Sequence, residues 1–336
     1  MTESVPGHDA DKRLSLLSNW VEQHLPGKVE RIEPASSDAS FRRYFRVIHR
    51  RGSRIAMDSP PDREPLDRFI TLAGKLRACG LRAPRVYASD AEHGFALLSD
   101  LGPQTYLDVL TQAPGRADAL YGDAIHRLVT LQLRMQADDL PRYDEALLRR
   151  ELDIFREWLI ERHLDVRLEG SALTAWRDAC DVLVASALAQ PVVCVHRDFH
   201  SRNLMAGKAG DPGVLDFQDA VMGPMTYDLV SLLRDCYHEL PAADLSRYRD
   251  WYVSLLSQTA LAPLLPERAV FERWFDRMGA QRHLKAAGIF ARLHHRDGKS
   301  GYLADIPRTL GYVLALDDPA LTPLQNWLRE HACAVL

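Results

Sequence analysis

The sequence predicts an α+β protein, with a small antiparallel sheet and one packed helix in residues 1–100 and a mostly helical region in residues 101–336. Three observations carry this. Strand-like runs alternate with turn residues over the first hundred positions, and long segments with apolar residues at three- and four-residue spacing follow. Between the two textures stands Asp100-Leu101-Gly102-Pro103, whose Gly-Pro pair breaks either regular structure and marks a hinge. A chain of 336 residues with 46% apolar content is long enough for two domains, each with its own core.

Residues 12–24 place Leu14, Leu17, Trp20 and Val21 at helical spacing, and Pro26-Gly27 ends the helix. Strand-like stretches at 29–33, 41–48 and 54–58, joined by Ser36-Ser37-Asp38 and Arg51-Gly52, form an antiparallel meander. A helix over 65–78 stops at Gly80, and two further strands follow at 85–88 and 95–99. Helices are expected at 105–110, 117–135, 145–162 and 172–189. Short apolar runs at 192–195, 204–205 and 214–217 interrupt the helical region once, and helices resume to the C-terminus.

With 42 basic and 46 acidic residues the net charge is -4, so no basic field exists to attract nucleic acid or a membrane surface. A small-molecule ligand is expected instead. The five cysteines are scattered and form no CxxC pair, which disfavours a disulfide framework or a cysteine zinc site and suits a reducing, cytoplasmic compartment. The first residues, MTESVPGHDADK, hold no apolar signal segment. The expectation is a cytoplasmic monomer with no nucleic-acid or membrane partner.

The informative stretch is His196-Arg197-Asp198-Phe199-His200-Ser201-Arg202-Asn203, followed by Leu215-Asp216-Phe217. Any one of these acidic or amide residues alone reads as a turn or cap residue. Together they form H-R-D-x-x-x-x-N with a downstream Asp after an apolar run, the pattern of a phosphoryl-transfer site. Asp198 is the candidate catalytic residue, orienting a substrate hydroxyl and accepting its proton. Asn203 and Asp216 are candidate Mg²⁺ ligands, because hard oxygens suit that ion and Mg²⁺ neutralises the phosphates of ATP.

These motifs, with the connector Leu97-Leu98-Ser99-Asp100-Leu101-Gly102, resemble the aminoglycoside-phosphotransferase branch of the protein-kinase-like fold. Three further phrases narrow the resemblance: Ser37 through Arg46, Met57-Asp58-Ser59-Pro60-Pro61, and Gly288-Ile289-Phe290-Ala291-Arg292 through Lys299. These are similar to the anomeric N-acetylmuramate/N-acetylglucosamine kinases of bacterial cell-wall recycling. The resemblance implies a bilobal fold with ATP between the lobes, its adenine against Leu98 and Asp100 of the connector. It also implies phosphorylation of an amino sugar at the C1 hydroxyl, and support of the catalytic loop by Asp228 and His196.

Two departures from the kinase pattern stand out. No G-x-G-x-x-G is present, so Ser37 and Ser40 of the first turn are the candidate phosphate contacts. Met57 stands near the place of the usual lysine, and Arg43 is the candidate substitute, since a guanidinium grips phosphate bidentately. A solvated strand-face arginine is the competing reading. For a sugar carrying a lactyl carboxylate, Arg292, Arg296 and Lys299 are candidate substrate contacts, although a solvated basic helix end would look the same.

Gly298-Lys299-Ser300 is not a P-loop, because Leu293 occupies the position of the first glycine. His196 and His200 share a zinc-like spacing but lack the HExxH context. Two other readings stay open: a different small-molecule kinase of this fold, acting on an aminoglycoside, choline or homoserine, or a catalytically silent nucleotide-binding module.

Overall fold

The computed structural model describes residues 6–36, 42–135, 139–207 and 210–332. The chain parts into two compact units: Met1–Gln104 with Met205–Gln218, and Thr105–Leu204 with Asp219–Leu336.

In the first unit α1 (Pro6–His24) precedes β1 (Val29–Ser36), β2 (Arg43–His49) and β3 (Gly52–Asp58); α2 (Leu66–Ala78) leads to β4 (Val86–Asp90) and β5 (Phe95–Ser99). The five strands form one antiparallel sheet in the order β1-β2-β3-β5-β4. Phe45, Val47 and His49 of β2 are buried at alternate positions, as one covered sheet face requires. Leu17, Trp20 and Val21 of α1 close that face together with Phe45, Val47, Ala56, Phe95 and Leu97. Burying each large side chain contributes about 2 kcal/mol. The expected strand start at Phe41 lies outside the described residues. Arg43 pairs with Asp58 and His49 with Gly52 across the β2–β3 hairpin.

Residues 205–218 belong to this unit although they are remote in sequence. β8 (Gly213–Val214) pairs with β7 (Leu204–Met205), Val214 N donates to Arg82 O at 3.0 Å, and Phe217 stacks on Phe69 of α2 with centroids 5.0 Å apart. β8 stops at Val214, short of the expected strand at 214–217, because Asp216 adopts a left-handed φ of 61° that no strand continues through.

The second unit carries α3 (Tyr106–Gln112), α4 (Ala117–Arg134), α5 (Glu145–Ile154) and α6 (Gly170–Leu188), then β6 (Val192–Val195) and β9 (Val221–Pro224). After these come α7 (Tyr227–Leu233), α8 (Ala242–Leu256), α9 (Arg268–Asp297), α10 (Ile306–Leu314) and α11 (Thr322–His331). The helix expected over 145–162 is α-helical only to Ile154 and continues as a π-helix, Phe155–His163. Its partner explains the change. Gly288 of α9 approaches so closely that a Cβ there would stand 2.6 Å from both N and Cα of Phe155. α9, 30 residues and about 45 Å long, packs against α5, the π segment, α6, α7 and α10. No helix among the described residues is long and apolar enough to cross a membrane.

Candidate active site

β6 delivers the His196–Asn203 loop, and its antiparallel partner β9 leads into α7. Gly223 of β9 faces Tyr143, where a Cβ would meet the tyrosine Cβ at 2.9 Å, so glycine lets that ring reach the loop's underside. Asp228, fully buried in the first turn of α7, accepts from the backbone N–H of His196 at 2.6 Å and of Arg197 at 3.0 Å. Arg197 sits at φ 79°, a conformation uncommon for a side-chain-bearing residue, and the Asp228 clasp holds it there. Ser201 N donates to Asp235 at 2.9 Å, and Asn203 Nδ2 donates to the Asp198 carbonyl at 3.0 Å. The loop that presents Asp198 is thus tied at both ends. This matches the supporting role expected of Asp228, while His196, itself buried, accepts from Asp198 N at 3.3 Å.

Beneath the loop lies a charge network assembled from distant elements. Glu151 of α5, 2% exposed, accepts from the Arg197 guanidinium and the Tyr143 hydroxyl and stands 3.4 Å from Lys285 Nζ of α9. Lys285 also donates to the Tyr227 hydroxyl at 3.2 Å. Burial works against the Lys285 charge, but Glu151 and Tyr227 outweigh it and raise its pKa. Burial likewise pushes the Asp198 carboxyl up, yet Lys285, His200, Arg282 and Arg197 overcome it and hold Asp198 at about 2. Asp198 is therefore ionised at any physiological pH. Burial lowers the His200 pKa against the carboxylates of Asp235 and of Asp198, which stands 4.0 Å from the ring.

Neither Glu151, Arg282 nor Lys285 is legible as a site residue from the loop motif. The available signal is charge at core positions: α9 is apolar where it is buried except at Gln281, Arg282, His283 and Lys285. Arg292 lies seven residues beyond Lys285 on the same helical face, about 10 Å along the axis. Its Nε makes no hydrogen bond among the described residues, and burial, then Arg296, lowers its pKa. Arg296 is clasped by Asp297 at 2.8 and 2.9 Å, and Lys299 follows the Gly298 cap of α9.

The remaining candidates belong to the first unit. Asp58, buried at the end of β3, accepts from Arg13 of α1 and from Arg43, each with an Nε contact of 3.0 Å. The guanidinium proposed for phosphate is thus anchored by a carboxylate that the sequence did not single out. Asp100 accepts from Arg46 at 2.7 Å, Ser53 at 2.7 Å and Gly102 N at 2.9 Å. Burial raises its pKa, but the Arg46 and Ser53 hydrogen bonds prevail and lower it. Leu98 is buried in β5, and Ser37 and Ser40 lie outside the described residues. Asp216 is exposed at its left-handed position, with Gln218 Nε2 donating to Oδ1 at 2.7 Å.

Asn203, in the second unit, has its amide nitrogen engaged on the Asp198 carbonyl, and Asp216, in the first, has an exposed carboxylate; hard oxygens of these two kinds are the type of donor Mg²⁺ takes.

Comparison with known proteins identifies the family. The family model described as "Phosphotransferase enzyme family" matches residues 31–271. A Pseudomonas aeruginosa protein named N-acetylmuramate/N-acetylglucosamine kinase is 49% identical over 317 residues, covering 90% of this chain and 91% of its own. A Neisseria meningitidis protein of the same name is 42% identical, with 88% and 89% covered. Among solved structures, an ADP-bound aminoglycoside phosphotransferase aligns with TM-score 0.58 at 15% identity, covering 89% of this chain and 97% of its own. A choline kinase from Streptococcus pneumoniae aligns with TM-score 0.61 at 10% identity, covering 90% and 99%. At those identities the structures speak for the kinase-like fold alone, whereas the sequence matches span most of the chain. On the strength of these matches and of the clasped Asp198 loop, the chain belongs to the phosphotransferase enzyme family and is an ATP-dependent phosphotransferase of kinase-like fold.

Proposed function

We propose that this chain transfers the γ-phosphoryl group of ATP to the anomeric C1 hydroxyl of N-acetylmuramate and N-acetylglucosamine, as a monomer in the cytoplasmic recycling of cell-wall sugars. The observation that carries this reading is the 49% identity, over 90% of the chain, to a kinase named for those two sugars. The site chemistry supports it. Asp198, ionised because Lys285 and its neighbouring cations outweigh burial, accepts a hydrogen bond from the C1 hydroxyl and aims that oxygen at phosphorus. A carboxylate held at about 2 is a weak base, so it orients first and takes the proton only as the new P–O bond forms. Asn203 and Asp216 would hold Mg²⁺, which supplies neutralisation of phosphate charge. Arg43, Leu98, Asp100, Ser37 and Ser40 are the proposed nucleotide contacts. Arg292, with Arg296 and Lys299, receives the acceptor; its unpartnered Nε on the face of α9 shared with Lys285 suits the lactyl carboxylate of N-acetylmuramate. A polycationic aminoglycoside would meet repulsion there.

The test is ³¹P NMR of the protein with Mg-ATP and N-acetylmuramate. A new phosphomonoester signal coupled to the anomeric proton is expected, and Asp198→Asn should slow its appearance at least about 100-fold while circular dichroism and ATP binding persist. Near-normal turnover in that variant refutes the role of Asp198. Transfer confined to aminoglycosides or choline refutes the sugar assignment.

A further inference from the structure

We propose that His163, His294 and His295 form a binding site for a borderline-soft divalent metal such as Zn²⁺, distinct in residues from the Mg²⁺ ligands proposed at Asn203 and Asp216. The three residues are far apart in sequence, and the fold alone unites them. His163 ends the π segment, and His294 and His295 lie in the last turn of α9. The close approach at Gly288 seats the π segment on α9 and so carries His163 to the histidine pair.

One nitrogen from each ring lies within 4.8 Å of the others, and no ring is fully buried, so an ion has access. His163 Nδ1 and His295 Nε2 already stand 3.0 Å apart and share one proton. Tetrahedral coordination with Zn–N bonds of about 2.0 to 2.1 Å places ligating nitrogens about 3.4 Å apart. That pair must open by only a few tenths of an ångström for a metal to replace the shared proton. Ser300 Oγ, 3.0 Å from His294 Nδ1, is placed to set that ring's tautomer, as outer partners of metal-bound histidines do. Water completes the fourth position. Three imidazoles select Zn²⁺, Co²⁺, Ni²⁺ or Cu²⁺ over Mg²⁺, which prefers oxygen.

The probe is Co²⁺, titrated into chelator-treated protein in the presence of excess Mg²⁺. One ion per chain is expected, with the visible absorption of a four-coordinate site, and Zn²⁺ should displace it. His163→Ala and His295→Ala should each weaken binding at least about 100-fold, because losing even an outer-shell partner costs 10- to 100-fold. His331→Ala, at an exposed histidine stacked on Trp327, should bind as wild type. Circular dichroism establishes folding, and His163→Gln, which keeps most of the side-chain volume, repeats the test should the alanine variant fail to fold. Absence of the four-coordinate spectrum overturns the proposal, as does stoichiometric binding that survives both substitutions.

Discussion

Glu151 should be worth more to the stability of this protein than any residue of the His196–Asn203 loop. Its carboxylate stands between the Arg197 guanidinium and Lys285 Nζ, with 2% of its surface exposed. Glu151→Gln keeps the shape and an acceptor for the Tyr143 hydroxyl but leaves the buried Lys285 and the half-buried Arg197 without their shared counter-charge. Breaking a buried pair from one side costs about 3 to 5 kcal/mol. In a chain of this size that lowers Tm by about 4 to 7 °C. Adding Lys285→Met removes one of the stranded cations, so the double variant should recover about 1 to 3 kcal/mol relative to the sum of the single changes. Urea unfolding of the four proteins closes the cycle. A Glu151→Gln cost below about 0.5 kcal/mol, the range of an unremarkable surface change, would refute the reasoning. So would strict additivity. The same network reaches the chemistry, because Lys285 leads the cations that hold Asp198 at about 2. Without it the Asp198 pKa moves toward the ordinary 3.8, so in Lys285→Met the acid limb of kcat/KM should shift to higher pH.

Two other perturbations test the scaffold. Burial pushes Asp228 up to about 7 against its two backbone hydrogen bonds, from an ordinary 3.8. Between those values the native state holds a proton that the unfolded state has released. The stabilisation is complete below about pH 4 and declines as pH rises through 7, by about 1.4 kcal/mol per pH unit and about 4 in all. Asp228→Asn should flatten that decline in urea midpoints taken from pH 4 to 8; parallel profiles would show that Asp228 does not titrate in this window. Gly288→Ala would drive a Cβ into the backbone of Phe155 at 2.6 Å, where no side chain can yield, and should cost about 3 kcal/mol in thermal unfolding. Unchanged stability would mean that α9 and the π segment separate freely.

Much of this molecule is written locally. Alternation in the first hundred residues and three- to four-residue spacing afterwards specify sheet and helices, because side-chain periodicity follows directly from backbone geometry. The His196–Asn203 loop is legible for a related reason. Asp198 and Asn203 lie within one continuous stretch, and a short loop between β6 and β7 cannot separate them widely. The left-handed residues Arg197 and Asp216 carry no such signal, since neither is glycine; Asp228, 31 residues on from Arg197, holds the first in place.

The rest depends on which faces meet. Periodicity shows that α5 and α9 each bury a stripe but not that Glu151 of one would oppose Lys285 of the other, 134 residues later. Arg43 reads from sequence as a cation on a strand, and only packing shows it sharing Asp58 with Arg13. The three histidines meet because a glycine allows a π segment to lie against a helix. The sequence by itself determined most of the elements, the motif and the family; tertiary structure decided the π segment, the early end of β8 and the charges and contacts around them, because electrostatic and steric energies depend on distances through space that chain separation does not encode.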